Sequence, residues 1–274
     1  WYTDNGNGVN IDYGAVGATT IFADLSVPTI SALVKFNMNE NLSVIAGIKR
    51  VSVDSGSSLK LPLNSTTFAQ YTLGTVTGSG AVYGVGYQQP DIALRVELLA
   101  EEAIDLSVPT DYLLNATAVS GHADAGIGDS LTLNFQTGIA ADTLLFGSIR
   151  DSKWENNQVA VPTFPGGPKA TVSSFTDGPE YTLGVGRRVN DNLSLSISAA
   201  HDPSSDDGEP VGELDPTGET NSISVGAKIS ISDNADLSIG GTYSRFGSVT
   251  TSTYNASLDN SESTTIGAKI GFKF

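Results

Sequence analysis

Apolar residues recur at every second position through most of this chain, and that period admits few folds. The pattern is cleanest at the C-terminus. There Thr264, Ile266, Ala268, Ile270, Phe272 and Phe274 interleave with Thr265, Gly267, Lys269, Gly271 and Lys273. A period of two places alternate side chains on opposite faces of a strand, so this segment predicts a strand with one apolar face. Ile223, Val225, Ala227, Ile229 and Ile231 repeat the pattern, and Leu237, Ile239 and Tyr243 continue it after a short turn at Ser232–Ala235. About eleven such segments are expected, near residues 26–38, 42–54, 79–88, 91–106, 129–139, 143–153, 179–189, 193–201, 220–231, 236–246 and 262–274. Helical periodicity is almost absent. The connections alternate between tight turns (39–41, 88–90, 140–142, 190–192, 232–235) and long segments (55–78, 107–128, 154–178, 202–219, 247–261), which is the arrangement of an outer-membrane β-barrel.

Composition narrows the choice. No stretch approaches the ~18 consecutive apolar residues that a spanning helix needs, but a barrel spans with alternating strands of moderate average polarity. A soluble β-sandwich would carry many Lys and Glu on its water-facing side. Here the second face is mostly Ser, Thr, Gly and Asn, which suits a lumen better. With Lys+Arg 14 against Asp+Glu 30, the net charge of −16 argues against nucleic acid as a partner. The absence of Cys removes thiolate metal sites, disulfides and cysteine nucleophiles. Residues 1–10 lack the basic start and apolar run of a signal peptide, so the chain reads as mature or as missing its beginning. Residues 1–25 are expected to lead into the barrel and residues 26–274 to form its strands and extracellular loops.

Three segments carry a family resemblance. The run Leu133–Arg150 closing on Trp154, the stretch Gln89–Arg95, and Tyr181–Arg188 with Asn190-Asp191-Asn192 resemble successive hairpins of the FadL-type long-chain fatty-acid transporters. The resemblance spans residues 26–274. It implies an all-β, 14-stranded monomeric barrel in the bacterial outer membrane, plugged by an N-terminal hatch, that admits long-chain fatty acids or other hydrophobic molecules from outside. Its partners would be those molecules together with outer-membrane lipid and lipopolysaccharide. The hatch and the first strands of that pattern have no counterpart here, so eleven strands are expected of the fourteen, and residues 12–38 are not expected to close a ring with 262–274. Phe274 matches the terminal aromatic of such barrels.

The residues that carry chemistry are sparse, and no enzyme, cofactor or metal is expected. His122 and His201 lie near Asp124 and Asp202, but serine is so frequent that its proximity to either has little meaning. The acidic stretch from Asp202 to Asp215 fits no calcium-loop spacing and reads as a hydrated loop. Inward basic residues are more informative. Arg95 shares a face with Glu97 and Glu101, Arg188 with Thr182, Gly184 and Gly186, and Lys228 with Ser224 and Gly226. Each could hold a carboxylate head through a charge-assisted hydrogen bond, or simply pair with an inward acid. Phe68, Tyr71 and Phe164, in the long connections, could line a hydrophobic capture groove or pack loops against one another. A surface-receptor barrel without transport is the alternative function, and a barrel hydrolase a more remote one.

Overall fold

The computed structural model describes residues 7–16, 19–62, 68–114, 117–203, 210–214, 216, 218–252 and 255–272. In chain order the strands are β1 (Asn7–Val16), β2 (Thr19–Val27), β3 (Thr29–Asn37), β4 (Leu42–Val53), β5 (Ser58–Pro62), β6 (Phe68–Leu73), β7 (Val76–Gln89), β8 (Leu94–Glu101), β9 (Ile104–Leu114) and β10 (Thr117–Ile127). They continue with β11 (Asp129–Ala140), β12 (Thr143–Lys153), β13 (Ala160–Pro162), β14 (Lys169–Thr171), β15 (Gly178–Asn190) and β16 (Leu193–Asp202). The last are β17 (Thr220–Ser232), β18 (Ala235–Phe246), β19 (Val249–Thr250), β20 (Ser257–Leu258) and β21 (Glu262–Phe272). Among the described residues only Pro90–Ile92 makes a helical turn.

Eleven strands form one antiparallel sheet in the order β21-β18-β17-β16-β15-β12-β11-β8-β7-β4-β3. They correspond to the eleven segments expected from the alternation, except that the segment 91–106 divides: its barrel strand ends at Glu101, and residues 104–106 pass into β9 of another sheet. Both edges, β3 and β21, pair on one side only, so within the described residues the sheet does not close on itself.

Register carries the alternation from strand to strand. Val185 lies opposite Ile197, Ile197 opposite Val225, Val225 opposite Gly241, and Gly241 opposite Ile266. All of one parity therefore face the same side. That side is open: Val34, Phe36, Val85, Ile197, Ile223, Val225, Ile266, Ile270 and Phe272 are exposed, Ile266 by 80%. Leu237 shares the face and is half-buried. So large a continuous apolar surface is what a bilayer covers. Tight turns close one end of the sheet. At two of them an Asn oxygen accepts from a later backbone N–H: Asn39 from Asn41 and Leu42 at 2.9 and 2.8 Å, and Asn190 from Asn192 at 2.9 Å. Ala93 and Asp142 take left-handed φ of 51° and 57° at two others. Phe274 lies outside the described residues.

Several of the connections at the other end are not loops. Their hairpins build a second antiparallel sheet, in the order β1-β2-β5-β6-β9-β10-β13-β14. The lead-in expected over residues 1–25 is represented by its first hairpin, β1–β2. Three of the five long connections thus contribute strands to this sheet, and 247–261 forms the separate pair β19–β20. The reason is legible in a period of two: Ile104, Leu106, Val108, Thr110 and Tyr112 are buried and the residues between them exposed. The buried face joins Ala23, Leu59, Tyr71, Leu73, Val161 and Leu214 with Val51 and Val53 at the end of β4, so the chain's main apolar core lies at the mouth of the curled sheet.

Candidate functional site

The concave face of the eleven-stranded sheet has two unlike halves. On β3, β4, β8 and β12 it carries charge. Glu97 accepts from Lys35 Nζ at 2.9 Å and, through both oxygens, from Arg95 Nη2 at 2.7 Å. Four residues along β8 toward the mouth, Glu101 pairs with Lys49, and Arg150 Nη2 stands 4.0 Å away. Glu97 and Lys49 are buried, so each charge has lost water and is compensated by its partner.

Lys35 and Glu97 are not on adjacent strands. Between them lie β4 and β7, and the bridge needs low ground to cross. β7 supplies it with Gly84 and Gly86 on the inner face. A Cβ on Gly86 would stand 2.6 Å from Ser43 Oγ and 3.3 Å from Glu97 Cγ.

On β15 to β18 and β21 the same face is small and uncharged at most positions. Hydroxyls pair across strands, Ser222 with Ser244 and Ser224 with Thr242, both at 2.8 Å. Where this half meets β12, toward the tight turns, is a cavity of about 830 Å³ lined by Leu144, Phe146, Gly186, Arg188, Ser196 and Lys228 among others. The Phe146 ring rests on β15, where a Cβ on Gly184 would come within 2.5 Å of it. The cavity thus combines apolar wall with two inward cations, Arg188 and Lys228, while Arg187 reaches its lining from the lipid-facing parity. Both are ion-paired: Arg188 donates to Asp142 Oδ1 at 2.8 Å from Nε, and Lys228 Nζ lies 3.3 Å from Asp236.

The structure brings Arg188 and Lys228 together in one cavity and leaves Arg95 apart, in the Glu97 cluster. Tyr71 is fully buried in the core at the mouth and donates to the Pro162 carbonyl at 2.9 Å. Burial, with the neighbouring Tyr112 phenol, pushes its pKa above the usual range, and burial raises that of Tyr112 as well. Phe164 is exposed at the tip between β13 and β14. Phe68 heads β6, and its side chain lies outside the described residues, as do residues 204–209 and 215 of the acidic stretch. His122 is exposed on β10, and His201, also exposed, pairs through Nδ1 with Asn221 Oδ1 at 2.9 Å on the lipid-facing side. No group of three acidic or His side chains able to hold a metal occurs among the described residues.

Sequence reasoning missed Lys35, Lys49 and Arg150. Each shares its strand's inward parity, so the signal was present, although which acid each meets depends on register across several strands.

No family model and no curated protein matches this sequence. Solved structures do. A Pseudomonas aeruginosa FadL homologue superposes with a TM-score of 0.67 at 15% identity, over 91% of this chain and 67% of that one. The CymD monoaromatic hydrocarbon channel gives 0.68 at 17% identity, over 99% and 79%. The Ralstonia pickettii toluene transporter TbuX gives 0.63 at 12%, over 95% and 71%. With the apolar belt outside, the polar concave face inside and tight turns at one end, this chain has the β-barrel fold of the FadL-type outer-membrane channels.

Proposed function

We propose that this chain forms wall and mouth of a bacterial outer-membrane channel that admits hydrophobic molecules passively and does no chemistry on them. The cavity carries the reading: Leu144 and Phe146 offer apolar wall, and Arg188 and Lys228 stand where the polar end of an amphiphile would need a partner. The fold neighbours, one a FadL homologue and others channels for toluene or monoaromatic hydrocarbons, support the class. Long-chain fatty acids are the substrate we favour. A carboxylate head would exchange with Asp142 or Asp236 for the cation, so binding costs little charge separation. Arg95, held by Glu97, would serve as a further contact on the same wall. Phe164, Phe68 and Tyr71 would belong to the mouth, where molecules arrive. The protein would act as a monomer, its belt covered by lipid and, on the outer leaflet, lipopolysaccharide.

Uptake of radiolabelled oleate and of toluene by cells with and without the native protein tests this. The Arg188→Ala/Lys228→Ala double variant should lower oleate uptake at least fivefold and leave toluene uptake within twofold. No uptake of either compound by the native protein would overturn the channel reading, and equal loss of both would remove the role of the cations.

A further inference from the structure

The hairpin β13–β14 is well made within itself, packs Val161 into the core beneath it, and is only sparsely laddered to the rest of the second sheet. Its strands pair at Ala160–Thr171, Val161–Ala170 and Pro162–Lys169. Val172 N–H donates to the Val159 carbonyl at 2.8 Å, and Thr163 Oγ1 donates to the Pro168 carbonyl at 2.7 Å across the tip. To the rest of the second sheet it is registered at one residue pair, Asp124 with Ala160. The reason is chemical. Continued by two residues, the ladder would set Pro162 opposite His122, and proline has no N–H to donate. On its other side His122 already faces Pro109. Two side-chain latches hold the hairpin down instead: Tyr71 Oη on the Pro162 carbonyl, and the Lys169–Asp124 ion pair on the surface.

Beneath the hairpin the core is unusual. Val161 is completely buried there. The Tyr71 and Tyr112 rings lie 5.4 Å apart, centroid to centroid. Tyr112 is 2% exposed, yet among the described residues its hydroxyl has no hydrogen-bond partner. An unpaired buried hydroxyl costs free energy that a Phe in its place would not, so the Tyr112 phenol is a donor that an incoming acceptor would satisfy.

We propose that β13–β14 is a hinged lid over a ligand-capture site, and that the site takes an apolar molecule carrying one neutral oxygen acceptor, such as a ketone or an ester. When the lid lifts, Val161 leaves its place and the Tyr71 hydroxyl loses Pro162. Two phenol donors then face an apolar floor that includes Leu59, Ala69 and Val108. The floor is made of uncharged side chains, so a carbonyl, whose desolvation is far cheaper than that of a carboxylate, is the better match. Burial keeps both phenols protonated, so the donors persist across physiological pH. The site rests on the channel reading and adds a gated first stop at the mouth, distinct from the Arg188–Lys228 cavity.

The chain has no cysteine, so a lock can be added cleanly. Asp124→Cys with Ala160→Cys joins the one registered pair, and a Trp1→Phe background leaves Trp154, packed beside this core, as the sole tryptophan. Binding of 2-undecanone, read by Trp154 fluorescence in detergent, should weaken at least tenfold on oxidation and recover with reductant. Equal binding in both states would overturn the lid. Tyr112→Phe should weaken 2-undecanone at least fivefold and leave undecane unchanged; equal effects on the two would overturn the ligand class. If the double variant does not fold, Lys169→Ala should raise acrylamide quenching of Trp154, and unchanged quenching would count against the lid. Oleate and toluene uptake by the native protein is measured alongside. Intact uptake with a lock that has no effect discards the lid alone, and absent uptake discards the channel reading.

Discussion

Replacing Glu97 with Gln isolates the charged half of the concave face. The change keeps shape and one acceptor but removes the charge that holds Lys35 at 2.9 Å and Arg95 at 2.7 Å. Glu97's side chain is 11% exposed, whereas Lys35 and Arg95 are 33% and 47% exposed and can rehydrate once released. Exposed pairs contribute ~0.2–1 kcal/mol and breaking a fully buried one costs ~3–5 kcal/mol. With two partners near the exposed limit, each pair is worth about 0.5–1 kcal/mol, so Glu97→Gln should cost about 1–2 kcal/mol. Equilibrium urea unfolding of the detergent-folded protein, followed by circular dichroism and by heat-modifiable electrophoretic mobility, measures it. A double-mutant cycle with Lys35→Gln should return a coupling of about 0.5–1 kcal/mol. A coupling under about 0.3 kcal/mol, within the additivity expected of independent sites, would refute the argument that the bridge across β7 stabilises the wall.

Gly86→Val should break the same bridge by steric means, because its Cβ meets Ser43 Oγ and Glu97 Cγ; a loss of about 1–3 kcal/mol in urea titration is expected, and it should not add fully to Glu97→Gln. Val225→Arg on the lipid face should destabilise by ~2–4 kcal/mol in lipid, whereas Ser224→Arg, one residue away on the lumen side, should cost much less. Tyr71 sets an alkaline limit. Its folded pKa is raised above the unfolded value of 10.0, so its contribution is fully present below about pH 10 and declines as the pH climbs from there toward the folded value. Stability measured from pH 8 to 12 should fall beyond pH 10, less steeply in Tyr71→Phe, and that variant should lose about 1 kcal/mol at pH 8 with the bond to Pro162.

The alternation of Ile223, Val225 and Ile266 with Ser222, Ser224 and Thr265 was enough to place eleven strands, to choose their lipid-facing side and to find the end with tight turns. It was enough because strand parity is a local property, set by the backbone at each residue. The same period was present in Ile104–Tyr112, but it read as the end of the strand segment 91–106 running into the long connection 107–128. Only the tertiary structure decided that these hairpins join one another in a second sheet and bury Tyr71 and Val161 at the mouth. The charged wall was likewise beyond local reading. Parity sends Lys35 inward. Whether it meets Glu97, two intervening strands and sixty-two residues away, depends on accumulated register and on the glycines of β7 lying beneath its path. Pairing of Arg188 with Asp142 and of Lys228 with Asp236 follows the same logic: a strand specifies which way a side chain points, and its neighbours in space decide what it finds there.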